Sequence, residues 1–113
     1  MSSDTYTDWL NARENTRQAI GDIESEGASR AQAEAAYYAA KSADYARLVA
    51  DSNATAAGNM VKGQPDTNRA LFEFRMAEAR YKAACNAATL FIDEEAHCYD
   101  AHRRALAGDS ERY

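Results

Sequence analysis

The sequence has little of the bulky aliphatic material that usually fills a protein core. Of its 113 residues, Leu, Ile, Val and Phe together account for 13, a share low enough to raise the question of disorder. Val and Ile contribute only five of these 13, and no stretch alternates apolar and polar residues with a period of two, so a β-sandwich or β-barrel is strongly disfavoured. A run of about 20 apolar residues is also missing, which excludes a membrane-spanning helix.

Cysteine, proline and leader features are equally sparse, with two Cys and one Pro in the chain. Cys85 and Cys98 fall on one predicted helix, where a rise of about 1.5 Å per residue separates them by about 20 Å, too far for a disulfide. We therefore expect free thiols in a reducing compartment. Residues 1–4 lack a basic region and an apolar segment, so we expect no Sec-type signal and a cytoplasmic protein.

The charge balance is acidic, with 18 Asp and Glu against 13 Lys and Arg and a net charge of −5. Binding to nucleic acid requires a basic face, so this balance argues against nucleic acid as a direct partner. Residues 1–29 carry six acidic and two basic side chains, which concentrates negative charge near the N-terminus. An acidic surface aids solubility and can steer the protein toward basic partners.

Alanine is abundant, with 26 copies, and it favours helices more than any other residue. The spacing of apolar residues predicts a first helix over about residues 5–25, with Ser3 or Asp4 as its N-cap. Gly27 stands where a helix-ending glycine is expected. The pair Ser29-x-x-Gln32 matches a capping box that would open the next helix.

Two further helices are predicted around a single cluster of helix breakers, residues 58–66. The second helix spans about residues 30–57 and the third about residues 67–107, with Gly108 as its end. Residues 109–113 are expected to be a frayed tail of one helical domain, 1–113. The predicted fold is all-α: an elongated three-helix bundle, in which a long antiparallel hairpin (30–57 and 67–107) carries the N-terminal helix (5–25).

Pairing the two long helices around residues 58–66 sets Val49 beside Phe74 and places Tyr38 and Tyr45 between the helices, opposite small residues. Such an interior contains few Leu and Ile side chains. Small domains with thin cores usually need a staple or a partner, and no disulfide is expected here. We therefore predict a homo-oligomer.

One cluster of side chains has the residue types of a metal site. Glu94, Cys98 and His102 are spaced by four on one face of the third helix, and each type can bind zinc. The alternative is that Cys98 and His102 border the core while the neighbouring acids form a solvated face. We favour this second interpretation and expect no cofactor.

The sequence offers no convincing catalytic constellation. Cys98 and His102 are one helical turn apart, but a long helix provides neither an oxyanion pocket nor a cleft. Gly58 and Gly63 lack the spacing of a phosphate-binding loop. We therefore predict that the protein is not an enzyme and has no catalytic residues.

Acidic helix faces are the more usable feature for binding a protein partner. They lie away from the apolar stripes of the first and third helices, and Tyr is a residue type enriched at interfaces. The predicted partner-binding residues are Glu14, Asp22, Glu26, Tyr37, Asp93, Glu94, His97 and Asp100. Tyr6 and Tyr113 are also expected to be exposed.

Residues 33–104 resemble small helical-hairpin proteins of tailed phages and prophages. The residues that carry the resemblance are Ala33-Glu34-Ala35, Tyr38, Lys41, Tyr45, Phe72-Glu73, Arg75, Ala77-Glu78-Ala79, Tyr81-Lys82-Ala83 and Arg103-Arg104. Some small acidic phage proteins inhibit host defences, including anti-CRISPR proteins, and the resemblance implies such a role in a bacterial host. The secreted WXG100 hairpins are similar in size, but the turn here has no Trp-x-Gly.

These observations predict a non-enzymatic phage or prophage interaction protein that binds another protein and inhibits or scaffolds it. The partner is a host or phage protein, without membrane or nucleic acid. Two alternatives remain open: a metal- or ligand-binding module built on Glu94, Cys98 and His102, and a structural or chaperone component of a phage.

Overall fold

The computed structural model describes the backbone of residues 4–111 and the side chains of residues 4–108. Every element in this part of the chain is helical. Two long helices, α1 (Thr5–Asp51) and α3 (Pro65–Glu111), run antiparallel, and a short helix, α2 (Ala54–Met60), followed by one 3₁₀ turn (Val61–Gly63), connects them. The all-α class and the antiparallel long helices are confirmed. No helix in the described range is long and apolar enough to cross a membrane.

The predicted division of the N-terminal half into two helices is wrong. α1 continues through Gly27 without a positive φ angle, so the predicted capping box at Ser29 and Gln32 lies inside a helix and cannot cap it. The close approach of Tyr81 explains the glycine, because a Cβ atom at Gly27 would lie 3.3 Å from the Tyr81 ring. The separate N-terminal helix of a three-helix bundle is therefore absent from the described residues.

Asp4 caps the start of α1 as predicted, since its carboxylate accepts a hydrogen bond of 2.9 Å from the backbone N–H of Thr7. The alternative cap, Ser3, lies outside the described residues. Asp4 also accepts a bond from the Thr7 hydroxyl, and these two bonds lower the pKa of the Asp4 carboxyl.

The connection between the long helices begins before residues 58–66, the cluster of helix breakers at which it was predicted. α1 ends at Asp51 rather than near residue 57, and the Ser52 hydroxyl donates to the Leu48 carbonyl oxygen at 2.7 Å. Asn53 then caps α2 by accepting from the Ala56 N–H at 2.8 Å. Leu48, Ala57 and Val61 form a small buried cluster beneath this connection.

α3 begins at Pro65 rather than residue 67, with proline in the first helical position, where its missing N–H costs no helical hydrogen bond. The helix also passes through Gly108 and reaches Glu111, so the predicted end at residue 107 is wrong. Gly108 does not adopt the left-handed conformation typical of a helix-ending glycine. Residues 112 and 113 lie outside the described part of the chain.

The chain divides into two compact units. Unit 1 comprises the described parts of Met1–Glu24 and Ala83–Tyr113, and unit 2 comprises Ser25–Lys82. In unit 1, Thr5 contacts His102 and Thr16 contacts Phe91, so residues later in α1 contact residues earlier in α3. In unit 2, Arg30 meets Glu78 and Asp44 meets Thr67 in the same sense. A stretch of α1 thus packs antiparallel to a stretch of α3 within each unit.

We use the term seam for the residues of α1 and α3 that face each other. They recur at alternating intervals of three and four, the spacing of a coiled coil. In unit 1 the seam contains Thr5, Trp9, Ala12, Thr16, Ala19 and Ile23 on α1, and Ala88, Phe91, Glu95, Cys98 and His102 on α3. In unit 2 it contains Glu26, Arg30, Ala33, Tyr37, Ala40 and Asp44 on α1, and Thr67, Ala70, Phe74, Ala77 and Tyr81 on α3.

The interior is correspondingly poor in large side chains. Five of the seven buried apolar residues among the described residues are alanines (Ala12, Ala19, Ala57, Ala77 and Ala88), and no large side chain there is fully buried. Alanine permits close approach of the two helix axes. Small residues therefore line the contact between the helices, as predicted, but Tyr38 and Tyr45, which were predicted to lie opposite them, are exposed.

The predicted register is wrong, because Tyr37 rather than Val49 stacks on Phe74, with ring centroids 6.2 Å apart. Tyr38, Tyr45 and Val49, which were predicted to face the other helix, are exposed. Tyr38 and Tyr45 each come one position after a seam residue of α1. The shift follows from the earlier end of α1, which moves the centre of the connection toward the N-terminus.

Candidate functional site

An open groove of about 370 Å³ runs along one side of unit 1. Its lining residues come from both helices and are Thr5, Asp8, Asn11, Ala12, Asn15, Glu94, His97, Cys98 and Ala101. We call this surface the polar groove. It contains Glu94, Cys98 and His97, which are candidate site residues on sequence grounds, and brings them together with residues of α1.

The position of these side chains follows from the seam. Asp8, Asn11 and Asn15 each precede a seam residue of α1 by one position, just as Glu94 and His97 precede seam residues of α3. In an antiparallel pair of helices, residues that precede the seam on both helices flank it on the same side. The groove is therefore a direct result of where polar residues stand in the helical repeat.

The Cys98 thiol is half-buried at the base of the groove and donates a hydrogen bond of 3.6 Å to the Glu94 carboxylate. Burial raises the pKa of the Cys98 thiol, and the neighbouring carboxylates of Glu94 and Asp8 raise it further. The thiol therefore stays protonated near neutral pH, which is the opposite of what an activated cysteine nucleophile requires.

The rim of the groove offers polar groups that are available to a ligand. Within residues 4–108, the side chains of Asp8, Asn11, Asn15 and His97 take part in none of the hydrogen bonds or ion pairs of the structure. Amides both donate and accept hydrogen bonds, and the carboxylates of Asp8 and Glu94 favour a cation. This arrangement suits a lysine or arginine side chain flanked by polar backbone.

His102 lies in a different environment from Glu94 and Cys98. Its Nδ1 forms a hydrogen bond of 2.9 Å with the Thr5 hydroxyl, and its ring stacks on Trp9 at a centroid distance of 6.0 Å. Tyr6 and Tyr99 complete this aromatic cluster through ring contacts of 5.4 Å to His102 and 5.3 Å to Trp9, respectively. Among the described residues, no three His, Cys, Asp or Glu side chains are placed to hold one metal ion.

The acidic residues predicted on α1 do not form one surface. Glu14 is hydrogen-bonded to Arg17, which lowers the pKa of the Glu14 carboxyl, and Asp22 is exposed. Glu26, predicted to point away from the helix contact, instead faces α3 in unit 2 and lies 3.4 Å from the Arg80 guanidinium. That contact is an ion pair without hydrogen-bond geometry.

Of the predicted residues on α3, Glu94 and His97 line the polar groove, whereas Asp93 is exposed outside it. Asp100 is half-buried and lies 3.7 Å from Arg103. Tyr6 is exposed as predicted, and Tyr113 lies outside the described residues.

Tyr37 faces the seam of unit 2 and is only half-exposed, contrary to the prediction. Its neighbour Tyr38 takes the outer position, with 54 % of its surface exposed. Tyr38 lines a shallow groove of about 340 Å³ together with Lys41, Ser42 and Tyr45.

Asp8, Asn11 and Asn15 were not among the site residues predicted from the sequence. A signal for them was present, since polar residues at positions 8, 11, 15, 18 and 22 repeat at intervals of three and four beside the apolar stripe. Only the position of α3 shows that these polar residues of α1 line the same groove as Glu94 and His97.

Comparison with family models, with characterised proteins and with solved structures finds no significant match to this chain.

Proposed function

We propose that this protein is a non-enzymatic interaction protein and that its polar groove binds a basic segment of another protein. The observation that supports the proposal most directly is the uncommitted row of Asp8, Asn11 and Asn15 opposite Glu94 and His97. Polar groups held on rigid helices lose little conformational freedom when a ligand binds.

Electrostatics support a basic ligand. Asp8 and Glu94 stand on the two walls of the groove, and the chain as a whole has a net charge of −5. Complementary charge accelerates association and sets the orientation of the partner. Asn11 and Asn15 then supply the hydrogen bonds that distinguish one basic segment from another.

The resemblance to small phage proteins leads to a more specific proposal. The bound partner is then a host or phage protein, and occupation of its basic surface inhibits or scaffolds it, as an anti-defence inhibitor would. This part rests on the resemblance rather than on the groove.

Photo-crosslinking in the cells that encode the protein tests the proposal. A photoreactive phenylalanine analogue placed at Asn15 is expected to crosslink a discrete protein, whereas the same group at the exposed Ala79 of unit 2 is not. The crosslink at position 15 should disappear in the double variant Asp8→Lys/Glu94→Lys.

A matched control changes the net charge equally without touching the groove. The double variant Asp51→Lys/Glu73→Lys alters two exposed acids of unit 2 and should retain the crosslink at position 15. Absence of any discrete crosslink, or equal loss with both double variants, would refute the proposed groove function.

A metal- or ligand-binding module remains the second candidate, because Glu94 and Cys98 are already in contact. His102 would have to leave Thr5 and the Trp9 ring in order to join them. Elemental analysis of the purified protein, before and after treatment with a chelator, tests this candidate, and a bound zinc ion lost on Cys98→Ser would support it.

A further inference from the structure

One side of unit 1, formed by residues that directly follow seam residues, carries six large apolar side chains. Tyr6, Leu10 and Ile20 each stand one position after a seam residue of α1, and Ile92 and Tyr99 do so on α3. Leu106 follows the half-buried Ala105, which continues the α3 seam three positions after His102. Residues that follow the seam on both antiparallel helices flank it on the same side, opposite the residues that precede it. We call these six residues the apolar face.

The structure places the residues of α1 on this side as expected. A groove on this side is lined by Glu95 of α3 and by six residues of α1, which are Leu10, Arg13, Glu14, Thr16, Arg17 and Ile20. Four of the six, Leu10, Arg13, Arg17 and Ile20, directly follow a seam residue. The polar groove contains none of these residues. Unit 1 therefore has the polar groove on one side and, on the other, apolar side chains interspersed with Arg13 and Arg17.

The apolar face is large enough for a stable interface. Its six side chains are exposed by between 38 % (Leu10) and 55 % (Leu106). At about 200 Å² for a side chain of this size, the exposed parts amount to roughly 550 Å². A standard interface covers about 800 Å² on each partner, of which about 65 %, or roughly 520 Å², is apolar in homodimers.

The interior of unit 1 contains little buried apolar volume. Its buried residues are Ala12, Thr16, Ala19 and Ala88, whereas the six larger side chains of the apolar face are exposed. A bound partner stabilises a folded chain to an extent that depends on the partner's concentration. A chain whose apolar face must be covered therefore needs a partner that is present whenever the chain itself is present. A second copy of the same chain meets that requirement.

The charges on this side also suit a second copy. Arg13 is 4.0 Å from Glu95, and Arg17 is hydrogen-bonded to Glu14, so these four charges cancel in pairs. Two such faces can meet without net repulsion, whereas the carboxylates of the polar groove would repel their own copy. We propose that the apolar face of unit 1 packs against the same face of a second copy, so that four helix segments form a dimer with two-fold symmetry.

Measurement of molar mass by light scattering during size-exclusion chromatography tests the proposal. The protein should elute as a dimer, and Ile20→Lys/Ile92→Lys should weaken dimerisation by about 100-fold or more, because the interface would then contain unpaired ammonium groups. Leu90→Lys is the matched control. Leu90 is 70 % exposed, more than any residue of the apolar face, but it precedes the seam residue Phe91 and should leave the dimer intact.

Cysteine crosslinking provides a second measurement that needs no disruptive substitution. In a Cys85→Ala/Cys98→Ala background, Leu10→Cys should be joined between chains by a short bismaleimide, whereas Gln18→Cys on the polar side should not. Circular dichroism of each variant reports whether it is folded.

Three results would overturn the proposal. The protein could be a monomer at its highest soluble concentration, including one that forms a complex only with a foreign protein. Leu90→Lys could dissociate the dimer as strongly as the double variant does. Crosslinking could be equal at positions 10 and 18, or absent from both in a dimeric protein.

Discussion

The hydroxyl of Thr67 on α3 donates a hydrogen bond of 2.6 Å to the carboxylate of Asp44 on α1, and both residues are buried in unit 2. Asp44 also accepts a bond of 3.1 Å from Arg47. These bonds lower the pKa of the Asp44 carboxyl, with the Thr67 hydroxyl as the larger cause. A charged carboxylate thus joins the two helices close to their connection.

This bond predicts a loss of stability in acid. Because the pKa of Asp44 is lower in the folded than in the unfolded chain, its contribution is complete above the unfolded value of about 3.9 and is lost as the pH falls through the folded value. Thermal unfolding followed by circular dichroism should show Asp44→Asn less stable than the native protein at neutral pH. The difference should shrink in strong acid.

The exposed Asp51 provides the control, since Asp51→Asn removes a carboxylate from the same helix without removing a partner on α3. Its unfolding temperature should follow that of the native protein across the pH range. A constant difference between Asp44→Asn and the native protein at every pH would contradict the assigned role of the Asp44–Thr67 bond.

The alanine seam predicts that added volume is tolerated outside it but not inside. Ala77→Leu places three further carbon atoms where only 1 % of the residue is exposed, and overpacking of this kind costs about 1–3 kcal/mol. Ala79→Leu adds the same atoms at an exposed position two residues away and should change the free energy of unfolding little. Urea denaturation measures both, and equal effects would argue against a close approach at Ala77.

The two glycines inside α1 should respond differently to alanine. Gly21→Ala meets no atom within 4 Å and should stabilise the protein by about 0.5–1 kcal/mol, the usual gain in a helix interior. Gly27→Ala gains the same helix propensity but places its Cβ 3.3 Å from the Tyr81 ring, which must then move. We expect a clearly smaller gain at Gly27, and an equal gain in urea denaturation would show that Tyr81 moves freely.

The reactivity of Cys98 reports on the polar groove. Because burial and the Glu94 carboxylate raise the pKa of the thiol, Glu94→Gln should accelerate alkylation of Cys98 by iodoacetamide at mildly alkaline pH, although burial will still slow it. Mass spectrometry in a Cys85→Ser background measures the rate at the single remaining thiol. Glu73→Gln, which removes an exposed acid of unit 2, serves as the control. An unchanged rate in Glu94→Gln would mean that Glu94 does not affect the thiol in solution.

The all-α class and most of the α3 stripe could be predicted from the sequence, because Phe74, Ala77, Tyr81 and Ala88 stand out from a polar background at helical spacing. The course of α1 could not. Gly27 and its immediate neighbours are typical of a helix end. The seven-residue spacing from Ile23 to Arg30 and from Arg30 to Tyr37, however, continues the seam past Gly27 without interruption. The spacing of seam residues across Gly27 indicates a continuous helix, whereas the rule that glycine often ends a helix led to the wrong prediction.

Alanine also obscured which face of α1 is buried in unit 2. Alanines stand on every side of residues 31–50, so apolar character alone does not select between Tyr37 and Tyr38. The register depends on where α1 ends, and Asn53, a good cap residue, was the better guide to that position than the glycines beyond it.

The candidate site was only half predictable. Glu94, His97 and Cys98 attract notice because their side chains are chemically distinctive. Asp8, Asn11 and Asn15 become significant only when α3 lies beside them, and that pairing joins them to Glu94, His97 and Cys98, which are 79 to 90 positions away.

The small cluster of Leu48, Ala57 and Val61 sets the order in which the contacts can form. Its members lie within 14 positions, whereas Thr16 and Phe91 are 75 positions apart and Thr5 and His102 are 97 apart. The entropy lost in closing a loop increases with its length, so the cluster can assemble early and the Thr5–His102 contact late. During synthesis, the first half of α1 leaves the ribosome long before its partner segment of α3 has been made. Its exposed tyrosine, leucine and isoleucine side chains are then open to contact with other molecules.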